Sequence, residues 1–489
     1  MVLTRRNWLR PAWFYGLLVF AFSTSIAEGA GTVAFANGRS IDAAANDPVC
    51  VHAVDLDGDG DLDVISALLI PDVVVWYENL DGKGTFSEGV DLSPCCDRDG
   101  PRSIATGDVD GDGFPDVVVA FQVSSLVTWF RNTDGLGGFS TGIDIATGVD
   151  GASWVELADV DGDGDLDVIS SAFDDDQVTW YENTGEGTFA TGLDLSTTSN
   201  GADGLAVADL DGDGDVDVVV TSFDGDRVVW FENSNGKGAF SLAVDLALDT
   251  DGARYLATAD LDGDGDTDIV SASLNDGRIV LYENTDGEGT FAAGEDVDVL
   301  TSAQTVVAVD LDNDGDIDLV ACDKDGGRIV WYENTDGEAS FSNATDIALD
   351  IGVQQVIAVD LDGDGDLDLL SASRTRDSVV WYENLLVELT PSPVSITAPT
   401  ANPVTASSLA IDDTATPSPV ATGVGVPPTT PDASATSDAG GGGDSTTGTW
   451  VGGLLGTVFF GVLIFFGLKY LLKKFEGQGL LRFLFGTEL

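Results

Sequence analysis

A nine-residue acidic stretch, DLDGDGDLD at Asp55 to Asp63, recurs seven times, with copies beginning at Asp55, Asp108, Asp159, Asp209, Asp260, Asp310 and Asp360. The intervals are 53, 51, 50, 51, 50 and 50 residues. Self-similarity at so fixed a period means that each repeat is one supersecondary unit, which buries its apolar faces only against its neighbours. Counted from the first Asp, carboxylates stand at positions 1, 3, 5 and 9 of every copy, at position 7 of all but the second, and Gly stands at position 6. The acids are Asp55, Asp57, Asp59, Asp61 and Asp63 in the first copy and Asp108, Asp110, Asp112 and Asp116 in the second. The third and fourth carry Asp159, Asp161, Asp163, Asp165, Asp167 and Asp209, Asp211, Asp213, Asp215, Asp217. The fifth has Asp260, Asp262, Asp264, Asp266 and Asp268, the sixth Asp310, Asp312, Asp314, Asp316 and Asp318, and the seventh Asp360, Asp362, Asp364, Asp366 and Asp368.

Oxygen ligands at alternate positions can converge on one point, and a Gly at the sharp bend lets the backbone wrap a hard cation, which is calcium chemistry. A single such loop has a weaker rival reading, an acidic turn that simply stays wet. Seven in register do not, because four or five carboxylates within nine residues repel one another unless a cation sits among them. An EF-hand is excluded on its own terms. Position 12, where a bidentate Glu belongs, holds Ser66, Val119, Ser170, Val220, Ser271, Ala321 and Ser371. The residues after each loop (DVIS, DVVV, DLLS) are short β-branched or aliphatic runs, so the loops join strand to strand.

Copy four lays out the unit: a strand at Leu205 to Leu210, the loop, a strand at Asp215 to Ser222, a third at Arg227 to Asn233, the turn SNGKG, and a fourth at Ala239 to Leu246. Four antiparallel strands in about 50 residues make one propeller blade, so the expected fold is an all-β, seven-bladed propeller over 31–389. The seventh repeat lacks its fourth strand, and GTVAFANGRSIDAAANDP at Gly31 to Pro48 matches the missing piece, so an N-terminal strand is expected to close the last blade. Trp76, Trp129, Trp180, Trp230, Trp331 and Trp381 share one repeat position, with Leu281 in the fifth copy. Their place inside strands favours packing between blades over a sugar-stacking ladder. The Asn that follows each (Asn79, Asn132, Asn183, Asn233, Asn284, Asn334, Asn384) precedes a Gly-containing turn and reads as a turn residue.

The net charge of −65 is concentrated in these loops, which hold 34 of the 85 acids. One Ca²⁺ in each of seven loops would bring it to about −51. With only 20 Lys and Arg, nucleic acid is excluded as a partner. Four cysteines are no disulfide scaffold; a bridge from Cys50 to Cys95 or Cys96 stays open, and Cys322 reads as a small buried apolar residue.

The flanks describe delivery. Residues 1–27 read as an export signal, with Arg5, Arg6 and Arg10 before an apolar run and a small-residue cleavage site at Ser25-Ile26-Ala27; TRRNWLR also resembles a twin-arginine signal, leaving the route open. A segment at 390–449, rich in Pro, Ser, Thr and Gly, reads as a stalk, and 450–472 as a membrane-spanning helix. Lys473 and Lys474 place the tail, 473–489, in the cytosol, and its length argues against a GPI signal.

At the Asp loops and their flanking strands the chain resembles the FG-GAP/VCBS repeat family, whose calcium loops also occur in integrin α-chain propellers. The likeness covers roughly 31 to 384. It implies that the Asp at positions 1, 3, 5 and 9 are ligands, together with the position 7 backbone carbonyl. The literal Phe-Gly and Gly-Ala-Pro elements are absent, no inserted domain interrupts the repeats and no leg domains follow, so an integrin subunit is not implied. The expected function is a calcium-binding, single-pass cell-surface propeller that binds an extracellular protein or glycan as an adhesion module. An extracellular polysaccharide lyase is the alternative, weakened because His52 is the only His and no acid–base pair stands apart from the structural Asp; a purely structural surface protein is a third reading. Recognition is expected on the rim opposite the Asp loops, where loop sequences differ between copies, with Arg227, Arg278, Arg328, Arg374 and Arg376 as candidate contacts.

Overall fold

The computed structural model describes residues 33–92, 98–241 and 243–386, and every regular element among them is a strand. Twenty-eight strands form seven four-stranded antiparallel sheets, one per repeat. In blade four the strands are Ala202–Ala208, Asp217–Ser222, Arg227–Phe231 and Val244–Ala247. The innermost strand thus starts three residues before the sequence expectation, at Ala202-Asp203-Gly204, and stops short of the Asp loop. The outer strand is also shorter: Phe240 first makes one bridge to Asn233, and regular pairing begins only at Val244.

The second strand of every blade is buried along its whole length, as in Asp116–Phe121, because it is covered on both faces by neighbouring blades. A strand buried on both faces needs a continuous rather than alternating apolar run, which DVVVAF and its counterparts supply. Each apolar cluster therefore draws on two adjacent blades. One joins Val49, Ile65 and Trp76 of blade one to Ile104, Val117 and Phe121 of blade two. Another joins Val51 and Val64 of blade one to Leu370 and Trp381 of blade seven, so the array closes into a ring.

Closure follows the expected route. Arg39–Asp42 pairs with Ser378–Tyr382 as the outer strand of blade seven, with Arg39 opposite Trp381, and Phe35 bridges Asn384 as Phe86 bridges Asn79. The Arg39 guanidinium lies 4.4 Å from the centre of the Trp381 ring and donates to Gly84 O at 3.2 Å.

The repeated Trp packs between blades. Each indole lies on the turn between third and outer strands of the next blade, so close that only Gly fits there. A Cβ on Gly84 would stand 1.9 Å from Trp381, and Gly137, Gly187, Gly238 and Gly289 meet Trp76, Trp129, Trp180 and Trp230 in the same way. The exceptions occur in matched pairs. Leu281 replaces Trp in blade five, and the facing turn position in blade six is Ala339, held at φ +57°; both pack against the same cluster. A smaller side chain on one blade has admitted a methyl on the next. Val33 takes the Gly position against Trp331, whose indole is the less buried one and donates to Asp318 Oδ2 at 2.9 Å.

The export signal, stalk, membrane span and tail, with Cys95 and Cys96, lie outside the described residues. Among the described residues no helix is long and apolar enough to cross a membrane. Cys50 and Cys322 are buried free thiols, the former on the innermost strand of blade one, Pro48–Val54.

Leu281→Trp should destabilise the ring by about 1–3 kcal/mol through overpacking. Adding Ala339→Gly should recover most of that loss, so a urea-unfolding double-mutant cycle should read a favourable coupling between the two sites.

Candidate metal centres at the blade joints

Each Asp loop folds on its own carboxylates before any cation is considered. The position 1 Asp accepts the N–H of the position 6 Gly at 2.8–3.1 Å, as in Asp55 with Gly60 and Asp108 with Gly113. The position 5 Asp accepts the position 7 N–H, as Asp59 does from Asp61 at 3.0 Å. Gly60 and its counterparts sit at φ of +91° to +99° with open space where a Cβ would go, so backbone conformation alone demands Gly.

The position 9 Asp is wholly enclosed and serves as a clamp. Asp217 accepts Leu210 N on Oδ2 at 3.2 Å and Asn233 N on Oδ1 at 2.7 Å, and all seven copies repeat the pair. The Asn side chain then reaches across the joint. Asn233 Nδ2 donates to Val160 O in the preceding blade's loop at 2.9 Å and to Val216 O in its own at 3.2 Å. The bond recurs round the ring, including Asn79 to Leu361 O across the closure at 3.1 Å. The Asn holds its turn as expected, Asn233 Oδ1 accepting Gly238 N at 3.1 Å, and is in addition a latch between blades.

Positions 1, 3 and either 5 or 9 gather into acidic cages. Oxygens of Asp55, Asp57 and Asp63 lie within 4.8 Å of one another, as do those of Asp108, Asp110 and Asp116; of Asp159, Asp161 and Asp163; of Asp209, Asp211 and Asp213; and of Asp260, Asp262 and Asp268. The position 7 side chains turn elsewhere: Asp61, Asp215, Asp266 and Asp316 lie against turn glycines of their own blades, Gly82, Gly236, Gly287 and Gly337.

The position 3 Asp carries the mark of a cation seat. Buried oxygens of Asp110, Asp161, Asp312 and Asp362 have no hydrogen-bond partner. Burial and neighbouring carboxylates push the pKa of every position 3 Asp upward, Asp312 to about 7. A buried carboxylate without a donor, facing like charges, is unfavourable until a cation supplies both partner and countercharge. This donor set, all carboxylate and carbonyl oxygen, fits a hard divalent ion.

A further acid borders the cages. The Glu after the repeated aromatic pair, Glu78, Glu232, Glu283, Glu333 and Glu383, adds to the upward shift of the adjacent position 3 Asp. Its recurrence was visible in the sequence; its approach to the loop was not. In blade two this residue is Arg131, and its guanidinium enters the cage, with Nε 2.5 Å from Asp110 and Nη2 2.9 Å from Asp112. The second loop therefore contains its own cation.

The candidate contact arginines are all engaged. Arg227 pairs with Asp245 at 3.1 Å, Arg278 with Asp296 at 2.6 Å, and Arg328 with Asp346 at 3.0 Å. Arg374 pairs with Asp47 and Arg376 with Asp350. His52 is half-buried, with its Nε2 2.8 Å from Thr106 Oγ1, and loss of solvent lowers its pKa to about 4.

With this geometry established, the comparisons with known proteins are specific about family. The FG-GAP-like repeat model matches 55–119, 108–170, 159–220, 209–271, 260–321 and 310–371. The chain belongs to the FG-GAP-like repeat family. No curated protein matches it. Among solved structures, BBS1N in complex with ARL6DN is similar at 13% identity and a TM-score of 0.51, over 73% of this chain and 98% of that one. An Agrocybe aegerita lectin that recognises non-reducing terminal N-acetylglucosamine is 23% identical over 62% of this chain and 81% of its own, with a TM-score of 0.46.

Two outcomes test the joints. Asn233→Ala strands two buried carbonyls, Val160 O and Val216 O, and should cost about 2–4 kcal/mol in urea unfolding. In protein stripped of divalent ions, burial raises Asp63, Asp116, Asp167, Asp217 and Asp268 to about 6 and Asp318 and Asp368 to about 7, against an ordinary 3.8. The folded state binds these protons more tightly than the unfolded chain, so their stabilisation is complete below about pH 4 and is lost as pH rises through 6 to 7. The melting temperature of the stripped protein should fall across that interval.

Proposed function

We propose that the chain is a calcium-braced recognition ring displayed at a cell surface, exported by its N-terminal segment and carried on a stalk above a single membrane span with a cytosolic tail. The observation that carries the metal reading is the buried, donor-less carboxylate oxygens of Asp161, Asp312 and Asp362 at position 3, each inside a loop whose backbone is already folded round it. Calcium suits all-oxygen ligands and irregular coordination better than Mg²⁺ or a transition metal. The ligands would be the Asp at positions 1, 3, 5 and 9 with the position 7 carbonyl. When bound, the ion would neutralise the cage; the chain's own Asp–Asn latches hold the loop and the neighbouring blade in place.

The Asp loops abut the third-to-outer turns of the next blade, as Gly212 lies on Gly287 O. That packing makes one rim scaffold and leaves the opposite rim, with its variable loops, for an extracellular protein or glycan. A binding rather than catalytic role is supported by His52, half-buried against Thr106 with a lowered pKa, and by the pairing of the rim arginines with Asp. The strongly acidic surface argues against nucleic acid.

Calcium should raise the melting temperature markedly, through sites with dissociation constants on the order of 10⁻⁴–10⁻³ M. Because Arg131 fills the second cage, native mass spectrometry at saturating calcium should count six ions, and Arg131→Glu should admit a seventh. Seven ions bound to the unaltered chain, or no thermal response, would count against this reading. Antibody access to the ring but not to the tail on intact cells would test the topology.

A further inference from the structure

The repeats are least alike where the innermost strands line the axis of the ring. At their second position, on the half nearer the variable rim, stand Val49, Arg102, Ser153, Asp203, Arg254, Gln304 and Gln354, where the Asp-loop half is nearly uniform. Arg102 of blade two and Arg254 of blade five converge on Asp203 of blade four, with Nη2 to Oδ1 at 3.9 Å and Nε to Oδ2 at 3.4 Å. All three side chains are at most 15% exposed. The Arg102–Asp203 contact skips blade three, so it crosses the axial opening.

One position further along, Trp154 of blade three and Tyr255 of blade five meet edge-on, with ring centroids 4.8 Å apart, past Gly204 of blade four. A Cβ on Gly204 would stand 2.3 Å from Arg254 O. The aromatic pair thus forms an apolar floor beneath the charged cluster, and the Trp154 indole is tied to Glu156 at 2.8 Å. Beside Arg254, on the next innermost strand, Gln304 is completely buried, and neither its amide nitrogen nor its amide oxygen has a partner. A buried amide unpaired at both atoms costs stability, and a chain keeps it where a ligand completes it.

We propose that this axial cluster is a binding site for a carboxylate-bearing ligand, held by Arg102, Arg254 and the Gln304 amide over the Trp154–Tyr255 floor. Two guanidiniums against one carboxylate leave a single excess positive charge, which a singly charged carboxylate matches. A phosphate dianion beside Asp203 would exceed it. The guanidinium fork accepts the two carboxylate oxygens side by side, and the aromatic floor suits the ligand's carbon body. Arg374, also close enough to Arg254 to disfavour its charge, adds to the positive field, and Glu156 opposes it from behind the floor. This inference rests on the ring being a recognition module and names the chemistry it would recognise.

The test is calorimetric titration of the full chain in calcium with sialyllactose and with an Asp-containing tripeptide, each against its uncharged counterpart, lactose and the Asn tripeptide. We expect one carboxylated probe to bind and its counterpart not to; which one binds identifies a sugar acid or an acidic side chain as the source. Arg254→Gln should weaken that binding by at least about tenfold. Gln304→Leu should weaken it as well while leaving the melting temperature unchanged or higher, an outcome that a merely structural glutamine would not give and that decides the matter if Arg254→Gln fails to fold. No binding of either carboxylated probe, equal binding of the uncharged counterparts, or binding undiminished in both variants would overturn the proposal. Binding of an uncharged probe that survives both variants would leave the recognition reading standing and remove the axial site alone.

Discussion

At each blade joint one fully enclosed carboxylate takes a backbone N–H on either oxygen: Asp217 holds Leu210 and Asn233, and Asn233 in turn holds Val160 O of the preceding blade. Blade-to-blade packing is otherwise apolar and non-directional, so many relative tilts would bury similar area. The Asp–Asn pair removes that freedom, because a buried carbonyl left without its donor is costly. Repeated seven times, the latch sets the angle between blades, and the ring can close only if that angle is nearly constant. The N-terminal strand then covers the last edge, with Arg39 lying on Trp381.

The same loops carry an opposing term. The latch places the acid cage where the oxygens of Asp312 and Asp362 are buried without donors, and their pKa values are raised by that burial first and by the neighbouring carboxylates second. Joint and cage are one piece of backbone, so any cation that relieves the cage also stiffens the joint. Blade two meets the problem with an ion pair: Arg131 supplies the positive charge from within the chain. Whatever the cage holds acts on the architecture locally, through a loop shared by two blades.

Departures from the repeat are informative because the scaffold is so regular. Leu281 with Ala339, and Arg131 with the second cage, are paired changes in which one residue answers another on the same joint. The axial residues follow no such rule. Arg102, Asp203, Trp154, Tyr255 and Gln304 occupy register positions whose residue changes from blade to blade, and they satisfy one another incompletely.

Sequence by itself determined the class and count of elements. The period of the Asp loops, the β-branched runs after them and the absent fourth strand of the last repeat specify seven blades and the N-terminal segment that completes the ring, because these are local patterns and a count. The acid cages were legible for the same reason, since their carboxylates lie within nine residues. The Asn was legible as a turn residue but not as a latch, and the recurring Glu with its single exception, Arg131, showed no role, because what these side chains reach lies some 20 or more than 70 residues away. Only tertiary structure decided that the rim arginines are already paired and that residues from blades two, three, four and five meet on the axis. Closing the ring brings those positions together, and their spacing along the chain, about one full repeat or more, carries no trace of the contact.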